Sequence, residues 1–255
     1  MKKIKIWRLS WVIMSNEKII DQDDTYDKEK LGLFFDPYIF NELKSFRSYG
    51  IEVSRLIIVF WDISNFSDLT NELFIGKRKE ELLLFLKEYY YAASKIISNN
   101  NGILDKFIGD GIFAYFGIRD INFDDVPNRT ILAAIELRKI FDDIKTRHLE
   151  LWNDYFGFKP HTSIDLKCAI HVGDVIFGYW NSPSRVQITA MGKNVNFCSR
   201  LEGYANKNQI IISKEVNELV IDKFVTSKLY IPETERLKSF KHIDHVYEII
   251  QPKFS

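Results

Sequence analysis

Two aspartates occupy places in this sequence where metal chemistry is possible. Asp62 follows directly on the apolar run Val53–Trp61, in the string Phe60-Trp61-Asp62-Ile63-Ser64-Asn65-Phe66, and Asp110 lies within Gly109-Asp110-Gly111. A carboxylate at the end of an apolar strand is costly unless something pairs with it. If that strand lies beside the hairpin carrying Asp110, the two carboxylates come together. Two such oxygen donors, helped by a backbone carbonyl, suit Mg2+ or Mn2+, which keep water and phosphate as their remaining ligands. Beyond Asp62 the chain turns through Ser64 and Asn65 toward a helix opening near Phe66, and a helix start presents backbone N–H groups to an anion. The plain alternative is that Asp62 caps that helix and Asp110 merely suits its turn. Taken singly, each aspartate fits either description.

Rival chemistries find little support. The sequence has no Gly-x-x-x-x-Gly-Lys-Ser/Thr phosphate loop, no His-Glu-x-x-His zinc helix and no Gly-x-Ser-x-Gly elbow. His171 reads as a structural hydrogen-bonding residue, and the other histidines lack ligand spacing. Cys168 alternates into a core and Cys198 falls in a helix, so both read as small hydrophobes.

The elements that must hold the aspartates follow from periodicity. Val53–Trp61 is rich in β-branched and aromatic residues and predicts a buried strand. Leu82, Phe85, Leu86, Tyr89, Ala93 and Ile96 form a 3.6-residue stripe, predicting a helix over about 78–98 that ends at Asn99-Asn100-Asn101-Gly102. Ile103–Ile108 and Ile112–Phe116 read as a hairpin around Gly109-Asp110-Gly111. A second helical stripe runs through Ala133, Leu137, Ile140, Phe141 and Ile144 behind Pro127. Ile164, Leu166, Cys168 and Ile170 alternate as a half-buried strand, with Val175–Tyr179 expected as its hairpin partner. A helix over about 195–204, a strand over 209–213 and a last hairpin near 236–250 complete the chain. This order predicts an α/β (α+β) fold. Its expected form is a ferredoxin-like βαββαβ core with a mostly antiparallel central sheet, flanked by helices and extended by a C-terminal hairpin.

The 255 residues are 46% hydrophobic and 15% aromatic, enough for a real core. Lys and Arg total 35 and Asp and Glu total 35, so no positive excess supports binding to nucleic acid. Two cysteines make neither a disulfide framework nor a four-cysteine zinc site. No apolar run is long enough for a membrane span, and no signal peptide is read at the start. A cytoplasmic protein is expected. Residues 1–34 read as an N-terminal extension or linker, its acidic Asp21-Gln22-Asp23-Asp24 stretch solvated, and 35–255 as the functional domain.

Over about 35–250 the chain resembles the class III nucleotidyl cyclase catalytic domain, the adenylate and guanylate cyclase family. The resemblance rests on six segments in the family's order. Phe35–Leu43 resembles the short helix before the domain, Val59–Ser67 the first metal motif, and Asp105–Gly111 the second metal aspartate on its hairpin. Ala169–Val175 resembles the family's later strand-turn-strand, Ile188–Glu202 the base, ribose and phosphate motif, and Arg236–Phe240 the terminal lysine hairpin. Together they favour the metal-binding reading of Asp62 and Asp110.

The resemblance implies the following roles. Asp62 and Asp110, with the backbone carbonyl of Ile63, hold two divalent cations, Mg2+ or Mn2+. Asn196 orients the ribose and Arg200 stabilises charge at the α-phosphate. Lys238 grips the terminal phosphates, Arg185 also meets phosphate, and Asn65 and Phe66 belong to the substrate contacts. Lys106 and Thr189 read the base, and a Lys donor beside a hydroxyl suits adenine, so ATP is the favoured substrate, giving 3′,5′-cyclic AMP and pyrophosphate. The family builds its site between two domains, which implies a head-to-tail homodimer. Departures from the family pattern include Trp61 before the metal aspartate, Phe107, and Asn65 where Gly is common; Asn tolerates the same left-handed backbone. A cyclase for UTP, CTP or GTP, of the kind used in signalling or anti-phage defence, is one alternative. A nucleotide-binding dimerisation module without turnover is another.

Overall fold

The computed structural model describes residues 51–182, 185–235 and 243–253. The expected helix at Phe35–Leu43, the 34/35 boundary and Lys238 lie outside the described residues, as do the side chains of residues 177–186.

The described chain begins with β1 (Ile51–Ile63), α1 (Phe66–Ile75), α2 (Lys79–Asn99), β2 (Ile103–Ile108), β3 (Gly111–Phe116) and α3 (Val126–Phe156). It continues through β4 (Leu166–Ser182), β5 (Arg185–Met191), α4 (Lys193–Glu202), β6 (Ile210–Ile212), α5 (Lys214–Val220), β7 (Phe224–Tyr230) and β8 (His245–Pro252). Eight strands form one sheet in the order β2-β3-β1-β4-β6-β8-β7, with β5 also paired to β4. Strands β2, β3, β1 and β4 each run antiparallel to their neighbour and make the βαββαβ core. The β4–β6 pair is parallel.

Alternation along β1 decides what covers each face. Ile57, Val59, Trp61 and Ile63 point into the main core with α2 and α3, where Phe85, Phe141 and Trp152 meet edge to face. Burying each such side chain is worth about 1.5–3 kcal/mol. Ile58 and Ala169 lie on the opposite face, where the Cys198 thiol of α4 donates to both their carbonyls. Asp62 is in register with that second face. One period-2 pattern therefore places Trp61 in the core and Asp62 on the side of α4.

The structure corrects several expectations. Val175–Tyr179 is not the hairpin partner of the preceding strand; it continues the same strand, β4, and the true partner is β5. The turn expected within Ala169–Val175 is absent: Gly173 is not among the positive-φ residues and β4 runs through it opposite Leu56. Its lack of a side chain serves close approach instead, because a Cβ there would lie 2.4 Å from Asn194 Nδ2 of α4. Helix α3 also runs well past the expected stripe, to Phe156, because Trp152 adds another buried contact. The last hairpin is β7 with β8, so its first strand starts earlier than expected.

Candidate active site

The two aspartates meet where β1 ends. Trp61 pairs with Ile112 across β1 and β3, which sets Asp62 beside the hairpin turn that carries Asp110. Gly109 has φ +63°, a left-handed conformation that suits glycine, and it closes the turn. The Ile63 backbone N–H donates to Asp110 Oδ2 at 3.2 Å. Helix α2 steadies the turn from outside: the Tyr90 ring stacks on Phe107 with centroids 4.0 Å apart, and its hydroxyl donates to the Gly109 carbonyl. Gly111 lets the turn pack against the end of β1, since a Cβ there would stand 3.2 Å from the Ile108 and Trp61 carbonyl oxygens.

Burial, and then the neighbouring Asp62 charge, push the Asp110 carboxyl up to about 6. Two carboxylates held together this way repel each other, and a divalent cation would relieve that repulsion. The pair, with the Ile63 carbonyl at the same strand end, is a donor set of the kind Mg2+ or Mn2+ takes. Among the described residues no group of three or more His, Cys, Asp and Glu forms a cluster able to hold a metal ion. A cation here would therefore complete its shell with water or phosphate.

A lysine that sequence reasoning missed closes the other side. Lys167 is the direct cross-strand partner of Asp62, and its Nζ lies 3.2 Å from Asp62 Oδ2 and 2.6 Å from Glu202 Oε1 at the end of α4. Burial works against its charge, but the Glu202 hydrogen bond and the two carboxylates outweigh that and raise its pKa. Burial holds Glu202 itself above the usual carboxylate range. The register between β1 and β4, a long-range pairing, was the only route to this contact.

The start of α1 matches its expected form. Asn65 adopts a left-handed backbone with φ 57°, and its side chain donates to the Ser163 carbonyl instead of capping the helix. No side chain caps the first turn at Phe66. Its amides are the kind of donors that hold phosphate.

Lys106 and Thr189 also meet. Strands β2 and β5 are separated by three strands in the sheet order, yet Lys106 Nζ donates to Thr189 Oγ1 at 3.2 Å, so the β4–β5 extension curls back over the sheet. Lys106 Nζ also lies 3.1 Å from Asp105 Oδ1. On α4, Asn196 and Arg200 are both exposed and one turn apart, hence on one face. Gly173 lets α4 sit close on β4, where Asn194 donates to the Asp174 carbonyl at 2.7 Å. Arg185 opens β5 opposite Ser182. His171 is buried and bonds Ser213 and Asn194, and burial lowers its pKa. Both cysteines are buried with thiols pushed up by that burial, which leaves them unreactive.

Two carboxylates on a hairpin and strand end, with a lysine–threonine pair preceding a helix, invite comparison with known proteins. The adenylate and guanylate cyclase catalytic domain matches residues 50–236. The chain belongs to that family. An adenylate cyclase of Dictyostelium discoideum, the terminal-differentiation specific one, is 27% identical over 207 residues, 79% of this chain but 9% of its own length. A cytidylate cyclase of Escherichia coli is 22% identical over 142 residues, 53% of this chain and 30% of its own. This chain thus spans less than a third of either relative. The crystal structure of the adenylyl cyclase CyaB from P. aeruginosa superposes with a TM-score of 0.69 at 25% identity, covering 80% of this chain and 97% of that one. The relatives differ in base, one being named an adenylate cyclase and the other a cytidylate cyclase. Among the described residues no helix is long and apolar enough to cross a membrane.

Proposed function

We propose that this domain is a metal-dependent adenylate cyclase, converting ATP to 3′,5′-cyclic AMP and pyrophosphate. The observation that carries the reading is the meeting of Asp62 with Asp110, supported by the separate meeting of Lys106 with Thr189. The 3′-oxygen bonds to the α-phosphorus in line, the bond from the α-phosphorus to the bridging oxygen breaks, pyrophosphate departs, and the 3′-hydroxyl proton passes to solvent.

Asp62, Asp110 and the Ile63 carbonyl hold the divalent cations, Mg2+ or Mn2+. When bound, these lower the pKa of the 3′-hydroxyl and neutralise the triphosphate. The uncapped first turn of α1, entered through Asn65 and Phe66, offers amides to the β- and γ-phosphates. Lys167 adds a cation at the edge of the same carboxylate. Lys106 donates to adenine N1 and Thr189 accepts from its N6 amino group. Asn196 orients the ribose. Arg200 meets charge developing at the α-phosphate, an effect worth about 3 kcal/mol where water is excluded. Lys238 and Arg185 complete the phosphate contacts.

Asp62 and Asp110 come from one subunit, and Lys106, Thr189, Asn196, Arg200 and Lys238 from its head-to-tail partner. The exposure of Asn196 and Arg200 supports this, because residues awaiting a partner's substrate stand open in the single chain. Incubating the protein with ATP and Mn2+ and quantifying 3′,5′-cyclic AMP and pyrophosphate tests the reading. Stoichiometric release of both is expected, and ATP binding without either product would overturn it.

A further inference from the structure

Strand β2 contains an irregularity at the residue before Lys106. Leu104 pairs with Ala114 and Lys106 with Phe113, so Asp105 is the extra residue of a β-bulge. Consecutive strand residues ordinarily point to opposite faces. Here the bulge lets both Asp105 and Lys106 reach the same stretch of β5: Asp105 Oδ2 accepts from the Ala190 N–H at 3.2 Å, and Lys106 reaches Thr189. The Asp105 side chain is wholly buried, with 0% exposure, and its Oδ1 is 3.1 Å from Lys106 Nζ. A buried carboxylate is costly without a purpose-built set of partners. Burial raises its pKa, against which the Thr189 hydroxyl and the Lys106 ammonium pull it down.

We propose that Asp105 is a specificity-determining positioning residue, fixing Lys106 as a donor and Thr189 as an acceptor toward the base, so that the site selects nucleotides whose base carries an amino group at purine C6 or pyrimidine C4. The inference rests on the cyclase reading above and deepens it. Thr189 Oγ1 accepts from Lys106, and its own hydrogen is drawn inward, toward the Ala190 carbonyl at 3.3 Å or the Asp105 carboxylate. Its remaining lone pair then faces the ligand. Lys106, held at two of its three N–H groups, keeps one donor for the ligand. A donor beside an acceptor complements adenine, with N1 accepting and N6 donating. It equally complements cytosine, with N3 accepting and N4 donating. Guanine and uracil present the reverse order along the same edge, a keto acceptor beside a ring N–H. ATP and CTP are therefore the accepted pair, and GTP and UTP the rejected pair.

The test compares wild type with Asp105→Asn on all four triphosphates, by turnover with Mn2+ and by equilibrium binding of the four α,β-methylene analogues. Asn keeps an acceptor for the Ala190 N–H but removes the charge. Wild type should favour ATP and CTP over GTP and UTP, and Asp105→Asn should shrink that preference at least about tenfold, the cost of mispaired buried groups, with the Mn2+ dependence unmoved. A proportional fall for all four nucleotides, or an unchanged preference, assigns Asp105 a purely structural role and overturns the proposal. Wild-type selection of GTP or UTP overturns it too, even if the variant does not fold. Turnover of none of the four sinks the cyclase reading instead, and the analogue binding order still decides this one.

Discussion

Asp110 Oδ2 accepts the Ile63 backbone N–H at 3.2 Å, which anchors the hairpin carboxylate to the strand end that also bears Asp62. The contact holds two like charges together, and the protein's response to pH and cations follows. Asp110 moves from an ordinary 3.8 to about 6 in the fold. Between those values the folded chain holds a proton that the unfolded chain has released. Metal-free stability therefore falls as pH rises through that window, and the penalty is complete above pH 6. Thermal melts in chelator should show that slope, and Asp110→Asn should flatten it. Mn2+ at pH 7 should raise the melting temperature of wild type, by an amount equal to about 2.7 kcal/mol at a hundredfold excess over Kd. Asp110→Asn should abolish both that gain and the activity. A wild-type melt indifferent to Mn2+ and Mg2+ would count against the metal site.

Lys167 stands between Asp62 and Glu202, both partly buried. Lys167→Met removes the only cation that an ionic or hydrogen-bond contact places on Glu202 among the described residues, leaving a carboxylate in a poorly solvated place. A loss of about 1–2 kcal/mol is expected by urea unfolding, less than for a fully buried pair because Asp62 is partly exposed. Lys167→Met with Glu202→Leu should recover most of it. Failure of the double variant to recover would argue against the pairing.

Gly173→Ala places a methyl 2.4 Å from Asn194 Nδ2. The clash displaces the start of α4, the helix that carries Asn196 and Arg200. A cost of about 1–3 kcal/mol is expected, with kcat falling more than nucleotide affinity. Equal activity per folded molecule would show that α4 tolerates the shift.

Burial holds His171 below its ordinary 6.5, so the fold favours its neutral form. The sign is the reverse of that for Asp110. Stability from this group is complete above pH 6.5 and is lost as pH falls through the folded value. Comparing wild type with His171→Gln by urea unfolding over pH 5–8 isolates it, because Asp110 contributes equally to both. The variant should lose less stability on acidification. Parallel curves would remove His171 from the account.

Subunit mixing tests the shared site. Asp62→Ala and Arg200→Ala should each be inactive alone. Mixed one to one, half the dimers are heterodimers with one intact site of two, so about a quarter of wild-type activity should return. No recovery after verified exchange would show that each chain completes its own site.

Much of this arrangement was legible in the sequence because it rests on local periodicity. The stripe through Leu82, Phe85, Tyr89 and Ala93 locates α2, and alternation in β1 places Asp62 opposite Trp61 in facing. The glycines around Asp110 locate the hairpin, and Asn65 takes the left-handed backbone its type allows. What stayed hidden depends on strand register. Nothing near Lys167 in sequence points to Asp62, and nothing near Asp105 announces a bulge. Gly173 misled because glycine serves both turns and close approach, and only the position of Asn194 tells the two apart.

Strand β4 runs without a break from Leu166 to Ser182, bordered by β6 near its start and by β5 beyond Ile176. Lys167, beside Asp62, and Gly178, beside Thr189, thus lie on one unbroken strand. In the proposed twofold pair this one strand would join the phosphate end of one catalytic centre to the base-reading end of the other, giving a shift at either centre a continuous backbone route to its twin.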